Sequence, residues 1–261
     1  MSVLRKLYRL VLCIWDFAYS IAEVLITRPK TRAGRAAWLR KLCMRVMRSV
    51  DITYETRGTI PTHGAVISNH LMFFDIFLHS SVNPVVFISK AELRQTPLLG
   101  WISMMAGTVY VSRGGGGSAA KAAEGMGKGF RDGLPVVFFP EGTTGIDNNV
   151  VMNFRSGLLA QAIMLDQPVT PVFIHYDISP IDAAAGKSLE HDFFWGPQKL
   201  GQLIWDFLGL YEIHATVVFG DPIKFSAEGI ANRKVAAEEA REAMIALWPG
   251  VRKATTATVI L

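Results

Sequence analysis

Cysteine is almost absent from this chain of 261 residues: Cys13 and Cys43 are the only two, both near the N-terminus. Two thiols supply neither a disulfide framework nor a metal-ligand spacing, and they point to a reducing compartment. No Gly-x-Ser-x-Gly elbow occurs, which removes the strained serine turn of one large hydrolase class. His63, His79, His175, His191 and His214 lack the one-turn pairing of a helical metal site, so no metal is expected. There is no internal repeat and no long linker. Acidic residues are nearly missing from the first fifty positions, where Asp16 and Glu23 stand against 11 Lys and Arg. That segment carries +9 in a chain whose formal total is +5, so everything after it sums to −4.

Half of the residues are hydrophobic, enough for one sizeable core or a core plus an appendage. Residues 3–26 form an apolar stretch long enough to cross a bilayer at about 1.5 Å per residue. Arg9, Asp16 and Glu23 interrupt it at intervals of seven, which aligns them on one helical stripe. A dozen Leu, Ile, Val and Phe side chains at about −0.3 to −0.6 kcal/mol each are nearly cancelled by a central aspartate at about +3 kcal/mol and two flanking charges. Spanning is therefore close to thermoneutral. Such a helix suits the membrane interface, or packing of its polar stripe on another helix, better than crossing alone. Asp16 would also fall inside the apolar region of a signal peptide, and no convincing small-residue cleavage site follows.

After Arg28-Pro29-Lys30 the pattern predicts a second helix over 34–50. Leu39, Leu42, Cys43, Val46 and Val50 fall on one side, and Lys41, Arg45 and Arg48 on the other. A basic amphipathic helix suits an anionic membrane surface, at about 1 kcal/mol per basic residue close to it. Packed on the protein's own core, the same helix would leave its basic face to water. Nucleic acid is not an expected partner, because the aromatics lie on the apolar side rather than between the charges. Residues 1–50 are thus expected to associate with a membrane, at the cytoplasmic face of the inner or plasma membrane, ahead of a second unit over 51–261.

From residue 51 short apolar runs alternate with helical patterns. The runs cover 52–56, 65–68, 85–89, 108–111, 136–139, 169–174 and 215–219, and the predicted helices cover 73–82, 98–105, 118–132, 155–166, 197–208 and 227–248. This alternation predicts an α/β fold with a central, mostly parallel or mixed sheet flanked by helices. Gly114-Gly115-Gly116-Gly117, directly after Arg113, reads as a mobile loop and a candidate lid.

The chemistry-bearing residues follow the apolar runs. Asn69-His70-Leu71-Met72-Phe73-Phe74-Asp75 comes directly after 65–68. Residues five apart on a regular helix point about 140° away from each other, so His70 and Asp75 meet only if the chain turns irregularly between strand and helix. The bland alternative is an exposed histidine and a helix N-terminal aspartate. The run 136–139 leads into Pro140-Glu141-Gly142-Thr143-Thr144-Gly145, and 108–111 leads to Ser112-Arg113. In Val169-Thr170-Pro171-Val172 the proline suits a strand end or irregular junction more than a central ladder position. Strand C-terminal ends share one edge of a parallel sheet, so His70, Arg113 and Glu141 are expected to converge there.

Taken in order, these segments resemble the glycerolipid acyltransferase family typified by 1-acylglycerol-3-phosphate acyltransferases. The four blocks are Asn69-His70…Asp75; Lys90-Ala91-Glu92-Leu93…Pro97…Gly100…Gly107…Arg113; Phe139-Pro140-Glu141-Gly142-Thr143; and Val169-Thr170-Pro171-Val172. The resemblance implies transfer of a fatty acyl group from acyl-CoA or acyl-ACP to a lyso-lipid hydroxyl, with no cofactor beyond the acyl donor. It implies that Arg113 holds an acceptor phosphate; otherwise Arg113 is a surface residue closing a strand. The third block departs from phosphatidic-acid-forming members, in which an arginine normally follows: here Thr144 and then Gly145 stand instead. Arg155 a short loop later either replaces that ligand or faces water at a helix start. The Thr-Thr form looks more like branches acylating other lyso-lipids, lyso-ornithine lipid among them.

The residues suit that chemistry on their own terms. An alcohol attacking a thioester must lose a proton, which a neutral imidazole is suited to take. Asp75 would hold the imidazole in the required tautomer and stabilise the imidazolium. With no nucleophile elbow, direct transfer is expected rather than an acyl-enzyme. Glu141 and the Gly142 backbone are candidates to position acceptor hydroxyls or the oxyanion, with a helix N-terminal charge as the alternative for Glu141. Phe73 and Phe74 are read as core aromatics. The rival classes are a hydrolase, in which His70 activates water, and a non-catalytic lipid-binding protein on the same scaffold.

Overall fold

The computed structural model of the chain describes residues 3–254 apart from 97, 112–117, 146, 197 and 226–231. Among the described residues the strands are β1 (Ile52–Arg57), β2 (Ala65–Ser68), β3 (Val86–Lys90), β4 (Val109–Val111), β5 (Val136–Phe138), β6 (Val150–Val151), β7 (Val169–Ile178), β8 (Ile213–Phe219) and β9 (Arg252–Lys253). Seven of them form one sheet in the order β1-β8-β7-β2-β5-β3-β4, and β6 pairs with β9 apart from it. Among the described strands, β7 and β8 form the one antiparallel pair. The strands from β7 across to β4 are mutually parallel, so their C-terminal ends share one edge.

The helices are α1 (Val3–Thr27), α2 (Arg32–Ser49), α3 (Phe74–Val82), α4 (Leu99–Met105), α5 (Ser118–Arg131), α6 (Ser156–Met164), α7 (Pro180–Ala184), α8 (Leu189–Asp192), α9 (Leu200–Phe207) and α10 (Arg233–Ile245). Strand side chains alternate between two apolar layers, as a sheet covered on both faces requires. Val66, Val137, Val172 and Ile174 join one layer with Leu78 of α3 and Phe207 of α9. Ile67, Val136, Phe138 and Phe173 join the other with Met126 of α5 and Met244 of α10. The mostly parallel, mixed sheet between helices is the architecture the apolar alternation predicts.

The differences are local. β6, β9, α7 and α8 are two to five residues long, too short for a periodicity to register. β7 runs past position 174 because β8 pairs with it as far as Ile178↔Ile213. Pro171 lies inside β7, but where the neighbouring ladder is broken. Val169 exchanges backbone bonds with Ile223, regular pairing with β8 resumes at Val172↔Phe219, and the Pro171 carbonyl accepts from Gly220 N. Its missing N–H therefore costs no ladder bond.

The polar stripe of α1 is turned onto the protein. Arg9 is buried and donates to the Leu208 and Tyr211 carbonyls at 3.2 and 2.8 Å, to the Leu210 carbonyl, and to the Asp51 carboxylate. Asp16 accepts from Ser49 at 2.6 Å, and Glu23 accepts from Lys41 and Arg45 at 2.9 Å. The last three donors lie on α2. That helix buries Trp38, Leu42, Val46 and Met47 in the same core as α3 and β2.

Candidate active site

The site is built where β2 ends. Asn69 continues the β2–β7 pairing with its side chain: Nδ2 donates to the Ile174 carbonyl at 2.9 Å and Oδ1 accepts from Ile174 N at 2.8 Å. The asparagine amide thus stands in for a peptide group, and the main chain is free to leave the sheet at His70. Residues 69–73 turn irregularly before α3 begins. The turn brings Asp75, second residue of the helix, back against His70.

Asp75 is fully buried. Its Oδ2 accepts from His70 Nδ1 at 2.7 Å, Leu71 N at 2.7 Å and Met72 N at 3.0 Å, while Oδ1 accepts from the Tyr176 hydroxyl at 2.7 Å. A carboxylate out of contact with water is tolerable only with donors of this number and quality. Backbone N–H groups can only donate, so Oδ2 is an acceptor and the Nδ1 of His70 carries the proton. Nε2 is left with its lone pair, the form a base needs. The imidazole is 18% exposed against 1% for the Asp75 side chain, so a substrate can reach the ring but not the carboxylate. Phe139, the residue after β5, stacks on the ring at 4.0 Å between centroids.

Glu141 comes from the next strand over, β5. Its Oε1 accepts from His70 N at 3.1 Å and its Oε2 from Met152 N at 3.1 Å. The His70 carbonyl in turn accepts from Gly145 N at 2.7 Å. The carboxyl group thus pins the histidine turn to the loop after β5 and to the chain leaving β6. Glu141 is buried, and each of its two oxygens accepts one backbone hydrogen bond. Gly142 N likewise donates within its own turn, to the Phe139 carbonyl at 3.1 Å.

A sequence model of the family described as Acyltransferase matches residues 51–175, a stretch holding every residue of this site except Tyr176. A lyso-ornithine lipid O-acyltransferase of Pseudomonas aeruginosa is 33% identical over 140 residues, 53% of this chain and 52% of that protein. A 1-acyl-sn-glycerol-3-phosphate acyltransferase of Neisseria gonorrhoeae is 28% identical over 176 residues, 66% of this chain and 68% of that protein. Residues 51–175, which hold His70 and Asp75, are thus similar to the Acyltransferase family. The crystal structure of a 1-acyl-sn-glycerophosphate acyltransferase from Thermotoga maritima shares the fold, with a TM-score of 0.62 at 20% identity over 94% of this chain and 97% of that one. The match covers about half the length of the first lyso-ornithine lipid relatives, 52% of one and 58% of another from Rhodobacter capsulatus.

Within the matched stretch the remaining candidates are dispersed. Arg113 lies outside the described residues, as does the glycine run after it. Arg155 is exposed immediately before α6, and its N–H donates to the Pro140 carbonyl at 2.8 Å. Its side chain lies along Gly142, whose φ is +71°; a Cβ there would stand 2.8 Å from the Arg155 Nε. The positive φ favours glycine at this position. The guanidinium thus lies at the loop in which Thr144 stands instead of arginine. Thr143 is exposed and Thr144 half-buried.

Phe73 and Phe74 pack with Phe77 and Phe207 beneath α3, a core role. Burial pushes the His79 imidazole down to about 4, so it stays neutral inside the same helix. Two site residues escape sequence reasoning. Tyr176 offers one signal, a hydroxyl on the apolar face shared with Val172 and Ile174. Asn148 offers none; its contacts with Tyr176 span 28 residues.

Burial also pushes the Glu141 carboxyl up to about 8 from 4.5, against its two backbone donors, which favour the charged form. The folded protein then holds a proton that the unfolded chain has lost. Its stabilising contribution is complete below about 4.5 and is lost as pH rises toward about 8. The melting temperature of the wild type should therefore fall relative to that of Glu141→Gln between pH 5 and 8. Parallel curves would show that Glu141 is charged throughout.

Proposed function

We propose that the chain is an O-acyltransferase moving a fatty acyl group from acyl-CoA or acyl-ACP to the hydroxyl of a lyso-glycerophospholipid. The proposed acceptor is 1-acylglycerol-3-phosphate and the product phosphatidic acid. The observation that carries this reading is the His70–Asp75 hydrogen bond of 2.7 Å, with the ring reachable and the carboxylate sealed. As the acceptor oxygen attacks the thioester carbonyl, its proton passes to His70 Nε2 and the new C–O bond forms. The tetrahedral centre then collapses, the C–S bond breaks, and the imidazolium returns the proton to the departing thiolate. Asp75 stabilises the positive ring between those events. No covalent acyl-enzyme is needed.

For the head group, Arg155 beside Gly142 supports a phosphate monoester, to which each charge-assisted bond is worth about 1.5–3 kcal/mol. The alternative acceptor, lyso-ornithine lipid, is supported by Thr144 and by the names of the relatives from Pseudomonas aeruginosa and Rhodobacter capsulatus. The test compares kcat/KM for lysophosphatidic acid and lyso-ornithine lipid. With phosphate held by Arg155, Arg155→Ala should raise KM for lysophosphatidic acid about tenfold or more and leave lyso-ornithine lipid nearly unchanged. An unchanged ratio in Arg155→Ala and in Thr144→Arg would remove both residues from head-group recognition.

The setting we propose is a membrane surface on the cytoplasmic side. α1 turns Leu4, Leu7, Val11, Ile14, Trp15 and Ile26 outward while Arg9, Asp16 and Glu23 pair within the protein, which suits lying in the interface. The basic face expected on α2 is partly spent: Lys41 and Arg45 pair with Glu23, and Arg48 is exposed. Binding to anionic vesicles should therefore weaken only partly at high salt. Replacing Leu7, Val11 and Trp15 together by Asp should abolish co-flotation with vesicles. Undiminished flotation would place the anchor elsewhere.

A further inference from the structure

The structure assigns Tyr176 as a positioning residue for His70, acting through Asp75; the assignment deepens the acyl-transfer reading and rests on it. Three of the four donors on Asp75 converge on Oδ2, and the Tyr176 hydroxyl meets Oδ1. Those three come from the turn on which His70 itself sits. Tyr176 comes from β7, 101 residues away in sequence, and so ties the carboxylate to the sheet. With both oxygens held, the carboxylate plane cannot rotate, and the direction in which it draws the His70 Nδ1–H is fixed.

The tyrosine is itself held from three sides. Asn148 clamps its backbone, with Nδ2 donating to the Tyr176 carbonyl at 2.6 Å and Oδ1 accepting from Tyr176 N at 3.1 Å. Asn69 makes the same double contact two residues earlier, at Ile174. Phe193 meets the ring edge-on at 5.0 Å. Two asparagines from two loops therefore set the register of β7 at the place where its phenol must reach Asp75. Burial, with Asp75 beside it, pushes the phenol well above its ordinary value, so it donates throughout the neutral range.

The test measures kcat and both KM values, with acyl-CoA and lysophosphatidic acid, for wild type, Tyr176→Phe, Asp75→Asn and the double variant. Melting curves confirm that each is folded. Losing a hydrogen bond to a buried charge should lower kcat about tenfold or more in Tyr176→Phe, with each KM within about twofold of wild type. In the Asp75→Asn background the same substitution should change kcat less than about twofold, because the group it acts through is gone. A kcat for Tyr176→Phe equal to wild type, a loss confined to KM, or a full second loss on top of Asp75→Asn would each overturn the assignment. If Tyr176→Phe fails to fold, Asn148→Ala takes its place in the same cycle with the same expectations.

Should the wild type transfer no acyl group to any acceptor, the functional reading fails on its own and the tyrosine is judged by histidine ¹⁵N spectra. His70 should show a single Nδ1–H tautomer in the wild type and a mixture in Tyr176→Phe. Identical spectra would overturn the positioning role.

Discussion

His70→Ala should lower turnover by at least about 10²-fold, the low end of what a positioned general base contributes, and leave the protein folded. The fold should survive because the ties at this position are made by the backbone: His70 N donates to Glu141 and the His70 carbonyl accepts from Gly145. The side chain adds the bond to Asp75 and the stack on Phe139. Steady-state kinetics alongside circular dichroism separate the two effects. A folded His70→Ala protein with near-normal turnover would remove the base from the mechanism.

Asp75→Asn should cost about as much in kcat, on the order of 10²- to 10⁴-fold, although the side chains are nearly the same shape. An asparagine oxygen can still accept from Leu71 N, Met72 N and His70 Nδ1, and its amide can face the Tyr176 hydroxyl. What disappears is the negative charge that balances the imidazolium. The substitution thus isolates electrostatics from packing, which Asp75→Ala would not do: alanine leaves four buried donors unpaired and should lower stability as well. An Asp75→Asn protein with kcat within about twofold of wild type would show that the carboxylate charge does not serve the histidine.

How much of this was legible beforehand depends on sequence separation. The His70–Asp75 pair was readable because both residues lie in one turn, and a spacing of five between strand and helix leaves few other geometries. The sheet was readable because buried parallel strands are near-continuous apolar runs, as in 65–67 and 136–138. The polar stripe of α1 could be drawn from its spacing, but whether it met a membrane interface or α2 depended on Ser49, Lys41 and Arg45 lying opposite. The partners of Tyr176 and Asn148 were illegible for the same reason: they are set by how β7 packs against α3 and the loop after β5. Glu141 shows a different limit. Its two oxygens hold the His70 turn to the Met152 backbone, a role no local pattern encodes.

The most direct measurement follows an acyl-labelled acyl-CoA with the full-length protein on vesicles, with and without lysophosphatidic acid. Direct transfer by a His70–Asp75 pair gives labelled phosphatidic acid only when the acceptor is present, one thiol released per acyl group transferred, and no labelled protein. Free labelled fatty acid released at the same rate without acceptor would make His70 the base of a hydrolase, and an absence of turnover with every donor and lyso-lipid acceptor would contradict acyl transfer altogether.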